Sequence, residues 1–155
     1  MQSAQRIFQL LKIVDTQGRF AHQRKKHKIM TENEISKIIF DAGLKIHRKI
    51  GTGLYERVYE ECLYYELKKS GLKVERQKGL SIQYEELMIP DAFRVDLLIE
   101  EKVVVELKSA LESGQSIFEA QLLNYLRLGK YKLGMVLNFN LPYFKDGVRR
   151  IVNGL

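Results

Sequence analysis

The sequence predicts an α+β (α/β) fold in which a mixed β-sheet is flanked by helices, and three observations carry that expectation. Two stretches with helical apolar spacing come first, and each stops at a glycine. Short strand-like runs follow, among them Phe93 to Lys108, which reads as two apolar strands joined by the polar Glu100-Glu101-Lys102. A further helical pattern, from about Gly114 to Leu128, then leads into the apolar run Leu133 to Phe139. Strand, helix, strand implies a right-handed crossover, which lays Leu133 to Phe139 parallel to the strand ending at Lys108.

A chain of 155 residues is long enough for one full core and short for two domains. With 45% hydrophobic residues it is expected to be globular. No apolar run approaches the roughly 18 residues of a membrane span, and the N-terminus lacks the order of a secretory signal, so the expected location is cytoplasmic. The single Cys62 makes no internal disulfide, and no Cys/His spacing suggests zinc. The net charge is +7, but +6 of it lies within residues 1–30. The remainder is nearly neutral, so basicity alone says little about a ligand.

Residues 1–29 hold a short apolar patch, Ile7 to Val14, and a basic run, Gln17 to Lys28, without sustained periodicity. They are expected to form a basic N-terminal extension, either a disordered tail or codons upstream of a true start at Met30, ahead of a nucleic-acid-binding arm or a targeting peptide. The folded domain is expected to span residues 30–155. Thr31-Glu32-Asn33-Glu34 is a capping box, and Ile35, Ile38, Ile39, Ala42, Ile46 and Ile50 follow at helical spacing until Gly51-Thr52-Gly53. The second helix carries Val58, Tyr59, Cys62, Leu63 and Leu67 on one face and stops at Ser70-Gly71. Leu72 to Gln77 and Leu80 to Tyr84 read as two strands, with Glu85-Glu86 and Pro90 punctuating the approach to the hairpin. Val148 to Val152 reads as a short terminal element.

Alternation sorts the hairpin into two faces. Phe93, Val95, Leu97, Ile99, Val103, Val105 and Leu107 fall on one, and Asp96, Glu106 and Lys108 on the other. With the tip centred on Glu101, residues whose numbers sum to 202 lie opposite one another, which sets Asp96 against Glu106 at roughly 5 Å between Cβ atoms. Two facing carboxylates are unfavourable unless a cation or a shared proton compensates them.

Glu106-Leu107-Lys108 is an E-x-K tripeptide, as are Glu66 to Lys68 and Glu100 to Lys102, so the tripeptide alone means little. Its place separates it: Glu106 and Lys108 interrupt a strand apolar enough to be buried, where charges need partners. A buried salt bridge of Lys108 with Asp96 or Glu106 is the plain alternative to a functional site. On the third helix Phe118, Leu122 and Tyr125 make an apolar stripe, with Gln121 inside it and aimed at the sheet; the alternative is a rim glutamine bonded to a loop. Glu56, in Gly51-Thr52-Gly53-Leu54-Tyr55-Glu56-Arg57-Val58-Tyr59, stands in the first turn of a helix, where the helix dipole already favours an acid.

Asp96, then E-x-K ten residues later, then Gln121-x-x-x-Tyr125 on the following helix, resembles the PD-(D/E)XK nuclease superfamily. Gly53-x-x-Glu56-x-x-Tyr59, with Val136-Leu137-Asn138-Phe139 downstream, is similar to its GxxExxY branch. The resemblance covers roughly residues 31–153. It implies a restriction-endonuclease-like core and a nucleic-acid partner, DNA or RNA, and it leaves a homodimer open. It implies that Asp96, Glu106 and the Leu107 carbonyl bind Mg²⁺ (or Mn²⁺), and that Lys108 orients or activates the attacking water. Glu56 is then the acidic residue of the preceding helix, and Gln121 and Tyr125 support the site. The residue before Asp96 is Val95 rather than proline, and Pro90-Asp91 is a literal P-D; Asp96 is the better match because Asp91 differs from it by an odd number. The expected function is a Mg²⁺-dependent nuclease-like protein that hydrolyses phosphodiester bonds. The alternative is a nuclease-fold domain without turnover, acting as a regulatory or protein-binding module.

Overall fold

The computed structural model describes residues 29–110 and 115–155. The expectations for residues 1–28 fall outside this range. The first helix, α1 (Glu32–Ile50), starts on the capping box: the Thr31 hydroxyl accepts the Glu34 N–H at 3.2 Å, and the Glu34 carboxylate accepts the Thr31 N–H at 2.9 Å. It stops at Gly51, whose φ of 73° carries the chain out of the helix while its N–H still bonds the His47 carbonyl at 2.9 Å. The second helix, α2 (Glu56–Lys69), buries Tyr59, Leu63 and Leu67 of the face expected of it, whereas Val58, expected on the same face, is exposed. Cys62 is a free, partly exposed thiol.

Five strands follow: β1 (Val74–Tyr84), β2 (Leu87–Ile99), β3 (Val103–Lys108), β4 (Leu133–Asn138) and β5 (Val148–Val152). They form one sheet in the order β1-β2-β3-β4-β5, antiparallel except for the parallel β3–β4 pair. The third helix, α3 (Gln115–Gly129), makes the crossover between β3 and β4, as the strand–helix–strand pattern predicts. A 3₁₀ turn, η1 (Phe144–Gly147), leads into β5. The predicted hairpin register holds: Leu97 lies opposite Val105, Leu98 opposite Val104, and Ile99 opposite Val103. Its tip turns through Glu100 and Glu101, both at positive φ, and closes with the Lys102 N–H on the Ile99 carbonyl. The Glu100 carboxylate is held by the Lys73 N–H, and the Glu101 carboxylate by the Lys73 ammonium.

Two cores lie on opposite faces of the sheet. On one, Ile35, Ile39, Tyr59, Leu63 and Leu67 of α1 and α2 pack on Leu97, Ile99, Val103, Val105, Leu107 and Leu137. Close approach is needed where α1 meets η1: a Cβ on Gly43 would come within 2.3 Å of the Phe144 ring. On the other, Leu122 and Leu126 of α3 pack on Val95, Leu98, Val104 and Val136.

Three expectations need correction. The runs Leu72 to Gln77 and Leu80 to Tyr84 are a single strand, β1, because Lys78 and Gly79 continue the ladder opposite Val95 and Arg94 in the register of Arg76–Leu97, and the register shifts only between Leu80 and Ile82. Pro90 lies inside β2 rather than ahead of it, and Glu85-Glu86 forms the β1–β2 turn. The proline is tolerated because Pro90, Asp91 and Ala92 bulge between the Ile82–Ile89 and Leu80–Phe93 pairs, where no ladder bond is required of them. Phe93 and Val95 do not share a face with Leu97 and Ile99; they pack under α3 with Leu98 and Val104. Alternation breaks at the rung between Arg76–Leu97 and Lys78–Val95, where Gln77 takes a φ of 48° and Asp96 leaves the β3 ladder.

Candidate active site

The broken rung is where the charged residues gather. The β2–β3 ladder stops at Leu97–Val105, one pair short of Asp96 and Glu106. There the Asp96 carboxylate replaces a backbone partner: its Oδ2 accepts the Leu107 N–H at 2.7 Å. Its Oδ1 accepts the Gln77 side-chain amide at 3.3 Å. In a strand the N–H and C=O of one residue point to the same side, so the Leu107 carbonyl also faces the gap beside Asp96. The Lys108 carbonyl, one residue on, points the other way and accepts the Phe139 N–H at 3.0 Å.

Glu106 is 6% exposed, on the central strand. Its Oε1 is buried without a hydrogen-bond partner among the described residues. Burial, and then the negative charge of Asp96, push its carboxyl from the usual 4.5 up to about 8, against the opposing pull of Lys108 and the Asp96 backbone N–H. Lys108 Nζ stands 3.8 Å from Glu106 Oε2 and 5.2 Å from the centroid of the Phe118 ring. A charge-assisted N–H···O bond runs nearer 2.7–2.9 Å, so this pair is loose and does not offset the burial that raises the Glu106 carboxyl. The buried salt bridge that is the plain alternative at the sequence level is present between Lys108 and Glu106, as a long ion pair. Asp91 is exposed, and its carboxylate lies over Gly79 instead of beside Glu106.

Glu56 reaches the same end of the sheet from α2. Its Oε1 accepts the Ser109 N–H at 3.2 Å, immediately beyond Lys108. The Ser109 hydroxyl donates to the Leu54 carbonyl at 2.6 Å, which ties the α1–α2 loop to the exit of β3. Glu56, Leu54, Tyr55, Arg57 and Ser109 line an open cleft there of about 400 Å³.

Gln121 departs from expectation. It is exposed, outside the stripe formed by Phe118, Leu122, Tyr125 and Leu126, and its amide donates to the Tyr125 hydroxyl at 2.6 Å. Residues 118, 122, 125 and 126 follow the helical period toward the sheet, which turns 121 to the flank. Tyr125 stacks on Phe93, with centroids 4.1 Å apart, and so braces the segment of β2 that leads into Asp96.

Three residues near this centre were given no role at the sequence level. Gln77 holds Asp96 from β1 and also donates to Glu60 on α2 at 3.1 Å. Ser109 joins Glu56 to the strand that carries Glu106 and Lys108. Asn138 is 2% exposed and opposite Lys108 in the parallel ladder; its amide binds both the N–H and the C=O of Ala110. A polar residue closing the apolar run of β4 was the available signal for Asn138, whereas Gln77 and Ser109 have none, because their partners are distant in sequence.

Among the described residues, no group of three or more His, Cys, Asp or Glu is placed to hold a metal ion. A divalent ion would instead draw on two carboxylates and a backbone carbonyl, with water completing the shell, which suits a hard oxygen-seeking cation. The residues fit such an ion on one observation: the buried, unpartnered Glu106 Oε1 beside a second carboxylate.

Comparison with known proteins gives three findings. No curated protein matches the chain. A solved structure titled "Crystal structure of SSO0001" is similar at 14% identity over 78% of each chain, with a TM-score of 0.47. A sequence model of the PD-(D/E)XK nuclease superfamily matches residues 33–151, a stretch that holds Glu56, Asp96, Glu106, Lys108 and the five strands except the last residue of β5. The chain belongs to the PD-(D/E)XK nuclease superfamily.

Proposed function

We propose that the chain is a Mg²⁺- (or Mn²⁺-) dependent nuclease of the GxxExxY branch, with Asp96, Glu106 and the Leu107 carbonyl as metal ligands. The observation that carries this reading is the Glu106 carboxylate, buried beside Asp96 with one oxygen unpartnered. When bound, the ion supplies charge neutralisation at the phosphate and lowers the pKa of a coordinated water. Asp96 is oriented for its part by the Leu107 N–H and the Gln77 amide. Lys108, two residues beyond Glu106 on the same strand face, holds its ammonium 3.8 Å from Glu106 Oε2 and can steer the water or the scissile phosphate. Glu56 keeps the end of β3 in place through Ser109 and faces the open cleft where a strand of nucleic acid would lie.

A nuclease-fold domain that binds a protein without turnover is the second reading. It is favoured by the exposed apolar end of the β1–β2 hairpin, where Tyr84, Leu87, Met88 and Ile89 are 40–66% exposed. The two readings part on metal. Under the nuclease reading, millimolar Mg²⁺ or Mn²⁺ raises the melting temperature of the wild type relative to chelator, and Asp96→Asn loses that increment. Because the ion must displace the Glu106 proton, the increment grows as pH rises toward about 8. A wild type indifferent to both ions across that range would sink the nuclease reading.

A further inference from the structure

Tyr55 occupies a position that its side chain does nothing to stabilise. It is the N-cap of α2, where Ser, Thr, Asp or Asn would accept an orphan backbone N–H, yet its side chain makes no capping bond. The ring is instead 87% exposed and forms one wall of the cleft that it shares with Glu56, Arg57 and Ser109. The backbone that presents it is pinned. The Gly53 N–H donates to Asn140 Oδ1 at 3.0 Å, and the Leu54 N–H to the Tyr59 hydroxyl at 3.2 Å. The Leu54 carbonyl accepts the Ser109 hydroxyl at 2.6 Å. The ring stands out in water on a braced loop, one residue from Glu56, and offers a flat apolar face on backbone that is ordered before binding.

Resting on the nuclease reading, we propose that Tyr55 is a stacking platform for an unpaired base, so that the cleft takes single-stranded or frayed nucleic acid in preference to continuous duplex. A base inside a duplex has both faces covered by its neighbours, and only an unpaired one can lay a face on the tyrosine ring. Arg57, exposed on the same wall, supplies the cation for the adjoining phosphate. Stacking does not distinguish ribose from deoxyribose, so single-stranded DNA and RNA share the chemistry that this wall recognises.

The test is fluorescence anisotropy of the full chain in chelator, where metal-dependent cleavage is suppressed, with labelled single-stranded DNA, single-stranded RNA and blunt duplex. The expected result is tighter binding of at least one single strand than of duplex. Tyr55→Ala should weaken that binding roughly tenfold and leave duplex binding unchanged, and Tyr55→Phe should retain wild-type affinity because the ring suffices. The DNA and RNA arms identify which sugar the rest of the cleft accepts. Equal loss on single strand and duplex, unaltered binding by Tyr55→Ala, or a Tyr55→Phe protein as weak as Tyr55→Ala would each overturn the proposal. A wild type that binds none of the three overturns it too, while the Mg²⁺-dependent melting described above judges the metal site separately.

Discussion

The two faces of β3 make the sharpest contrast in the molecule. Val103, Val105 and Leu107 look toward α1 and α2 and join a core of aliphatic and aromatic side chains. On the other face Val104 continues the smaller core under α3, but Glu106 and Lys108 follow it toward the end of the strand. One face is packed to the strand's end, and the other gives up packing after one residue for a carboxyl whose charge is opposed by its surroundings. The difference teaches that the first face supports the fold and the second holds a group poised to change charge, at a cost to the metal-free protein.

The largest expected effect tests that cost through pH. The folded protein holds the Glu106 proton up to about pH 8, whereas the unfolded chain releases it near 4.5. Stability from this group is therefore full below about pH 4.5 and is lost as pH rises through 8, by on the order of 4 kcal/mol in chelator. Urea unfolding of the wild type and of Glu106→Gln across that range checks it, because the substitution should remove this part of the slope. A wild type and mutant with parallel pH profiles would show that Glu106 is not poised.

On the packed face, Leu63→Ala should cost about 3 kcal/mol at any pH in the same range, because it opens a cavity in a fully buried site with no titrating group. A pH-dependent loss would blur the distinction between the faces. A smaller effect of opposite sign belongs to Asp96. Asp96→Asn should stabilise the metal-free protein by about 1 kcal/mol near pH 9, where Glu106 is ionised, and by less near pH 6, where it is protonated. If Asp96 were instead the main partner of Lys108, the change would cost roughly 3 kcal/mol or more, and equilibrium unfolding separates the two signs.

The smallest effect concerns the flank of α3. Gln121 is exposed, so Gln121→Leu should change stability by no more than about 0.5 kcal/mol in urea unfolding. If Gln121 supports the site through Tyr125, metal-dependent cleavage should nonetheless fall, and unchanged cleavage would assign it to the helix rim.

Much of this architecture was legible in residue order. The capping box at Thr31, the glycine stop at Gly51, the hairpin register about Glu101 and the parallel return of β4 all follow from local periodicity and chirality, which act over a few residues or a single crossover. The same register set Asp96 against Glu106, a pair that the ladder does not form. Tertiary structure alone decided that the ladder ends one pair short of them, so that Asp96 takes the Leu107 N–H, and that alternation breaks there and sends Phe93 and Val95 under α3. It also decided that Gln121 lies on the flank and that Glu56 meets β3 through Ser109. The physical reason is range: strand and helix periods are set by neighbouring residues, whereas hydrogen bonds such as Glu56–Ser109 and Gln77–Asp96 join groups whose sequence separation leaves no local pattern, and burial sets the charge of Glu106 only once the whole sheet has closed around it.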